Sequence, residues 1–177
     1  MSDATEPSVS PNSDTLVAEA APDGAAARAD DLIRKYMLGA LGVGLVPVPI
    51  VDMATLAAIQ LQLLSRLARL YEVDFSSELG KSLVASLVGG GTPVLASGLS
   101  SRLLTGLLSL HARLAMALSM SAFAGASTYA VGRVFVQHFE SGGTFLTFDP
   151  AKVRQYYEQQ LARGREEVRT SFAGVKP

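Results

Sequence analysis

Two long stretches of the chain contain no charged residue, and they limit what it can fold into more than any other feature. Residues 82–101 form the first run, of 20 residues, and residues 114–132 form the second, of 19. About 20 apolar residues are needed for a helix to cross the hydrocarbon core of a bilayer. Each run is therefore either a membrane-associated segment or an element packed inside a helical protein.

The composition favours helices over sheets and argues against several functional classes. Hydrophobic residues make up 49% of the chain, charged residues 18% and aromatic residues 7%, with no Trp and no Cys. This balance excludes a wholly disordered chain and a strongly charged nucleic-acid binder, and it predicts an all-α protein. Because cysteine is absent and the histidines are only His111 and His138, we expect no disulfide framework, no metal centre and no cofactor.

The distribution of charge divides the chain into regions. Residues 1–27 contain five acidic residues and no Lys or Arg, and they lack the basic start and apolar run of a signal peptide. We expect a disordered acidic tail over 1–27, an apolar helical domain over 28–140, and a turn with an amphipathic helix over 141–177. The basic residues are spread along the chain, which argues against a nucleic-acid partner.

A pair of prolines separates the first two predicted helices. Apolar residues recur at helical spacing over 28–46, and Pro47 and Pro49 must end that helix because they lack N–H groups and restrict the residues before them. The second helix is predicted over 50–71, with a broad apolar face whose one clear polar residue is Gln60. Together the two helices predict a proline-broken hairpin.

The two uncharged runs predict a second apolar hairpin. Glycines and Pro93 make a break inside the first run as reasonable as an unbroken helix. Arg102 and Arg113 at the tip of this hairpin argue against a complete crossing of a membrane. Small residues at every fourth position would let helix backbones approach closely, in lipid or in a soluble bundle. In the second run these residues are Ala117, Ser121 and Gly125.

The C-terminal part of the chain is more polar. The glycine pair at 142–143 predicts a turn, and residues 144–148 form a short β-prone patch. Asp149 before Pro150 predicts a helix start, with the carboxylate as cap and the proline at the first helical position. The helix that follows is amphipathic, with a charged face interrupted by Gly164.

No residue pattern points to catalysis. There is no Gly-x-Ser-x-Gly nucleophile elbow, and Gly80-Lys81-Ser82 is not a phosphate-binding loop because Phe75 stands where that loop requires glycine. Asp52 is the most informative ionisable residue. Inside a bilayer a carboxylate beside a proline break would be costly and therefore functional, whereas in a soluble bundle it is a helix-start residue. We expect a protein that is not an enzyme.

Two separated blocks of sequence resemble the same family. The first runs from Gly44-Leu45-Val46-Pro47-Val48-Pro49-Ile50-Val51-Asp52 through Gln60 to residues 67–75, and the second joins residues 128–133 to 140–143. In this order they resemble the YcjF-type family of bacterial domains of unknown function, over about residues 30–160. Glu72 stands where that family has glycine in a Tyr-Gly-Val-Asp stretch. The resemblance implies a membrane-associated helical domain that works with an Era-like P-loop GTPase, and it implies no catalytic residues.

The sequence therefore predicts a membrane-associated helical protein at the bacterial cytoplasmic membrane, acting as a homo-oligomeric partner or scaffold for a P-loop GTPase. Two alternatives stay open: a soluble helical-bundle adaptor or oligomeric scaffold in the cytoplasm, and an ion or small-solute pathway that uses Asp52. The residues expected to shape the helix break, or to hold the helices together, are Pro47, Pro49, Asp52, Gln60, Tyr71, Gly125, Tyr129 and Gly132.

Overall fold

The computed structural model describes residues 22–43, 49–89 and 110–173. Within these ranges every regular element is an α-helix, which confirms the all-α class, and there are five. They are α1 (Pro22–Val43), α2 (Pro49–Leu70), α3 (Ser77–Gly89), α4 (Leu110–Glu140) and α5 (Pro150–Ala173). Pro47, residues 1–21 of the tail predicted over 1–27, and residues 90–101 of the first uncharged run lie outside the described residues.

The longest helix, α4, is the centre of the bundle, and α1, α2 and α5 pack around it. α1 and α5 run antiparallel to α4, and α2 runs parallel to it. The contacts that define these directions are Leu41–Ser121 and Asp30–Arg133 for α1, Gln60–Ser127 and Tyr71–Glu140 for α2, and Phe148–Phe135 and Val168–Gly125 for α5. α1 and α2 therefore form the antiparallel hairpin predicted around the prolines.

Most buried side chains belong to one apolar core that follows α4. Its aliphatic part joins α2 to α4 and includes Leu63 and Leu67, which are fully buried. Its aromatic part surrounds Phe135, whose ring stacks on Phe148 with centroids 4.4 Å apart and lies 5.5 Å from the ring of Phe145. Burial of such large apolar side chains is the main stabilising contribution to a bundle of this kind.

Two helices extend beyond their predicted limits. α1 begins at Pro22 rather than near Arg28, so the last part of the predicted acidic tail is helical, and proline is well suited to a helix start. α4 covers Leu110–Glu140 rather than 114–132. Arg133 lies within this helix, as suits its high helix propensity, and it pairs with Asp30 of α1 at the bundle surface.

The first uncharged run, residues 82–101, begins inside α3, and the described part of the run ends at Gly89. The 13 residues of α3 span about 20 Å. The predicted break near Pro93 lies outside the described residues. α3 lies against α2, where a Cβ on Gly80 would be 3.0 Å from Leu61 Cδ2. The side chain of Arg154 from α5 donates to the carbonyl of Leu87, at 3.2 Å, and so helps to cap the end of α3.

The segment before α5 forms turns, so the β-prone interpretation of residues 144–148 was wrong. Phe145 and Phe148 are buried on the aromatic core, while Leu146 between them is exposed. The helix start was predicted correctly, since the N–H of Ala151 donates to Asp149 Oδ1 at 3.0 Å. Gly164 was placed wrongly on the charged face: it is buried, against the backbone of α4.

Candidate functional site

Gln60, the polar residue on the apolar face of α2, lies in the seam between α2 and α4. It is 1% exposed, and its Nε2 donates to Ser127 Oγ at 3.2 Å and to Thr128 Oγ1 at 3.5 Å. Both hydroxyls donate in turn to the carbonyl of Ala124, at 3.1 and 2.8 Å. Their lone pairs are therefore free to accept from the amide, and this buried network holds α2 and α4 in one register.

Gly125 and Gly132 let α1 approach the backbone of α4. A Cβ on Gly132 would lie 2.6 Å from Ile33 Cγ1, and one on Gly125 would lie 2.6 Å from Leu41 Cδ2. Ser121 belongs to the same row of small residues, and its Oγ donates to the carbonyl of Leu41 at 2.6 Å. The small-residue pattern of the second uncharged run thus marks the contact between α4 and α1.

Tyr71 and Tyr129, the two tyrosines among the predicted site residues, lie at different positions along the length of α4. The Tyr71 hydroxyl donates to Glu140 Oε1 at 2.8 Å and ties the end of α2 to the end of α4. Burial, with the bond and charge of Glu140, raises the pKa of the Tyr71 hydroxyl above its usual value. Tyr129 is half-buried, and the guanidinium of Arg133 lies over its ring in a cation–π contact, 5.8 Å from the ring centroid.

The predicted site residues do not form one site. Gln60, Gly125, Tyr129 and Gly132 follow the length of α4 where other helices cross it, and Tyr71 lies at its C-terminal end. Pro49 and Asp52 belong to the first turn of α2, and Pro47 lies outside the described residues. Within the described part of the chain, no group of three or more His, Asp or Glu residues could hold a metal ion.

The N-terminal part of α4 carries apolar side chains that no other described helix covers. Leu114, Met116 and Leu118 are 55%, 40% and 55% exposed, whereas most positions from Ser121 onward are buried. Residues two apart on a helix point to nearly opposite sides, so the apolar surface surrounds the helix here. Ser119 is also exposed, and its hydroxyl donates to a backbone carbonyl within the helix, at 2.8 Å.

Further exposed apolar residues lie at the same end of the bundle. Leu38 is exposed one turn before the end of α1, and Phe172 is exposed near the end of α5. We name this region the apolar end, defined by Leu38, residues 114–118 and Phe172. Arg34 and Lys35 are exposed on α1 one turn before Leu38, and the guanidinium of Arg34 lies 3.9 Å from the carboxylate of Glu167 on α5.

Among the described residues, one helix segment is long and apolar enough to cross a membrane. It is Leu114–Glu140 of α4, with a mean hydropathy of 1.4, and 44% of its most apolar window is buried inside the bundle. The buried share belongs to the core described above. Length and composition alone therefore fit both a membrane span and the central helix of a bundle, and the exposed part of α4 is the feature that separates the two.

Several structural residues escaped the sequence interpretation. Ser127 and Thr128 are inconspicuous in an uncharged run, and only their positions three and four residues after Ala124 indicate hydroxyls bonded within the helix. Arg154 was assigned to the solvent face of α5, but its guanidinium reaches the end of α3. The four-residue spacing of Phe135 and Phe139 was the available signal for the aromatic core.

Comparison with known proteins places this helical chain in a family. The family described as a domain of unknown function, DUF697, matches residues 14–166, and the chain belongs to it. The chain is also 39% identical over 137 residues to magnetosome membrane protein 22 of Magnetospirillum gryphiswaldense, a match that covers 77% of this chain and 70% of that protein. No solved structure matches it significantly. Membership of a family of domains of unknown function is thus confirmed.

Proposed function

We propose that this chain is a non-catalytic, membrane-associated helical protein that enters the bilayer with its apolar end and keeps the rest of the bundle in water. The observation that carries the proposal is the exposed apolar surface around residues 114–118, which no other described helix covers. Full burial of a large aliphatic side chain stabilises a protein by about 1.5–3 kcal/mol relative to exposure. Lipid would provide that burial for Leu114, Met116 and Leu118 together.

The local chemistry of the apolar end suits the edge of a bilayer. The hydroxyl of Ser119 has its hydrogen-bond partner inside α4, so it would need no water. Lys35, exposed on α1 one turn before Leu38, could meet anionic lipid head groups. The relative from Magnetospirillum is named a membrane protein, which supports the same location for this chain.

The charges along α4 limit how deeply it would enter. Arg133 pairs with Asp30, and Glu140 accepts the hydroxyl of Tyr71. Moving these groups into hydrocarbon would be costly. We therefore propose an interfacial or re-entrant insertion centred on residues 114–118 of α4, shallow enough for Arg113 to reach the head groups, with the seam at Gln60 and the aromatic core outside the hydrocarbon.

A finer proposal rests on the resemblance to the YcjF-type family. It makes this chain a homo-oligomeric partner or scaffold for a P-loop GTPase at the bacterial cytoplasmic membrane. Binding of a purified P-loop GTPase to the chain should then differ between its GDP-bound and GTP-analogue-bound forms. Light scattering in detergent should give a mass above the monomer's. If binding of the GTPase does not depend on its nucleotide, the GTPase-partner part of this proposal is wrong. If the chain is a monomer in detergent, the homo-oligomer part is wrong.

The membrane proposal is tested by fractionation with a matched pair of variants. The chain should sediment with membranes, resist a carbonate wash and be released by detergent. Leu114→Gln/Leu118→Gln should move a large part of it to the soluble pool, because the variant removes two exposed apolar side chains from the apolar end. Leu79→Gln/Leu146→Gln changes two exposed leucines elsewhere, and it should stay with the membranes.

Two results would contradict the membrane proposal. If the unmodified chain is soluble and monodisperse, the apolar end is covered by protein, and a soluble adaptor bundle becomes the better account. If both double variants leave the membrane to the same extent, the loss is a general effect of polar substitution, and the apolar end has no special part in it.

A further inference from the structure

A cavity of about 560 Å³ lies at the end of the bundle opposite the apolar end. The rings of Phe75 and Phe145 line it, in edge-to-face contact with centroids 5.5 Å apart. Leu79 and Leu146 also line it, and Leu146 is 84% exposed. We name this the loop cavity. Its size is within the usual range for binding pockets, and its apolar lining is open to solvent.

The loop cavity exists because α2 and α4 end side by side. Glu72 and Gly142, each just beyond the end of its helix, have φ values of 55° and 78° and reverse the chain direction in the same way. The loops that follow both turns line the cavity. The bond from Tyr71 to Glu140 joins the two helix ends, so the cavity is held open by fixed elements of the bundle.

The charge around the loop cavity is negative. Glu72 and Asp74 line it, Glu78 adjoins the lining residue Leu79, and Glu140 lies beside it at the end of α4. Within the described residues, none of these four carboxylates forms an ion pair, and no Lys or Arg lines the cavity. Such a surface attracts cationic partners and repels anionic lipid. It also repels the chain's own acidic residues 1–21.

We propose that the loop cavity binds a segment of another protein in which an aliphatic or aromatic side chain is flanked by Lys or Arg. The apolar side chain would occupy the space between Phe75, Phe145 and the exposed Leu146. The flanking cations would pair with Glu72 and Asp74. This use of the molecule goes beyond membrane association, and it involves the opposite end, so a partner bound here would lie on the aqueous side of a membrane-inserted bundle.

Peptide probes test the proposal with the full chain in neutral detergent. A labelled peptide of sequence Lys-Lys-Leu-Lys-Phe-Lys-Lys should raise its fluorescence anisotropy on titration with the chain, beyond the rise in empty micelles. A second peptide with Glu at every Lys position should bind at least about tenfold more weakly, a difference of about 1.4 kcal/mol. Added salt should weaken the binding of the basic peptide.

Charge-reversal variants decide whether the loop cavity is the binding site. Glu72→Lys/Asp74→Lys should lose affinity for the basic peptide at least about tenfold and gain affinity for the acidic one. Asp31→Lys/Glu158→Lys reverses two exposed carboxylates elsewhere and should leave the difference between the peptides in place. Leu146→Ser should weaken binding of the basic peptide, although it leaves the charge of the loop cavity unchanged.

Three outcomes would overturn the proposal. They are binding of neither peptide, equal binding of both, and binding of the basic peptide that the cavity variants do not change. If the chain binds neither peptide but self-associates, and Glu72→Lys/Asp74→Lys abolishes that self-association, the cavity is an interface between copies. None of these readouts depends on whether the apolar end enters lipid, so this proposal and the membrane proposal can fail separately.

Discussion

Gln60 illustrates how one buried amide sets the chemistry of a helix seam. The hydrogens of Ser127 and Thr128 already go to the carbonyl of Ala124, so these hydroxyls can accept a bond but have none left to donate. A donor at position 60 is therefore satisfied, and an acceptor is not. Sequence patterning located Gln60 as the polar exception on an apolar face, but only the structure gives the direction of its hydrogen bonds.

This one-sided bonding predicts unequal costs for two substitutions of similar size. Gln60→Met should lower the free energy of unfolding by about 1 kcal/mol, since it removes the bonds and leaves both hydroxyls paired with Ala124. Gln60→Glu should cost at least about 3 kcal/mol at neutral pH, because it buries a carboxylate facing two lone pairs. Chemical denaturation followed by circular dichroism measures both values.

The pH dependence provides the control for that comparison. Burial would raise the pKa of a Glu at position 60, and a protonated carboxyl could donate to Ser127. Gln60→Glu should therefore regain stability as the pH falls through the raised pKa, while Gln60→Met should show no such recovery. Equal losses for both variants at neutral pH would mean that water reaches the seam.

Glu72 is held in a backbone conformation that suits glycine. The N–H of Val73 donates to the carbonyl of Ala68 at 2.8 Å, and the intervening Glu72 has a φ of 55°. Glu72→Gly should raise the free energy of unfolding by about 1 kcal/mol, because it relieves the left-handed strain. Glu72→Gln keeps the strain and removes the charge, so thermal unfolding should show little change. An equal gain in both variants would assign the effect to charge.

Tyr157 carries a buried hydroxyl that has no hydrogen-bond partner among the described residues, and burial raises the pKa of this hydroxyl to about 12 from the usual 10.0. The unfolded chain ionises first, so stability is complete below pH 10 and falls as the pH rises towards 12. Tyr157→Phe should raise the free energy of unfolding by about 1 kcal/mol at neutral pH, because it removes the buried hydroxyl. Between pH 10 and pH 12 the thermal stability of this variant should decline less steeply than that of the unmodified chain. An unchanged slope would assign the decline to other groups such as Tyr71.

At the scale of the helix, close approach matters more than helix-forming tendency. A Cβ on Gly164 would lie 2.7 Å from the carbonyl oxygen of Ala126, which is backbone and cannot turn aside. Gly164→Ala should therefore push α5 away from α4 and lower the free energy of unfolding by about 1–3 kcal/mol. Gly39→Ala adds the same methyl group at an exposed position of α1 with nothing within 4 Å, and it should gain up to about 1 kcal/mol. Urea unfolding compares them directly.

Helix boundaries were predictable where local chemistry sets them, as at Asp149 and Pro150, whose capping needs no distant residue. They were not predictable where a tertiary contact decides. α4 continues past Gly132, where Arg133 pairs with Asp30 on another helix, and residues 144–148 form turns that place Phe145 and Phe148 in the aromatic core. The position of Gly164 likewise depends on α4, since nothing in its own charged neighbourhood indicates a buried contact.

At the scale of the whole molecule, the two ends differ in the surface they offer. The apolar end has exposed aliphatic side chains near Lys35, and the loop cavity at the other end has an apolar lining and carboxylates that form no ion pair with any described residue. A bilayer with anionic lipids would attract the first and repel the second. The membrane proposal therefore requires the bundle to stand with the N-terminal part of α4 pointing into the membrane, and the loop cavity would then face water.

The absence of cysteine allows a direct test of this orientation. Leu118→Cys and Leu146→Cys replace exposed leucines at opposite ends, and each can be labelled uniquely with a polarity-sensitive fluorophore. On addition of vesicles containing anionic lipid, the label at position 118 should shift to the blue and become protected from an aqueous quencher, because it enters hydrocarbon. The label at position 146 should keep its water-exposed spectrum and remain quenchable. Equal shifts at both positions would show that the bundle lies flat on the surface or unfolds there, and protection at position 146 alone would reverse the proposed orientation.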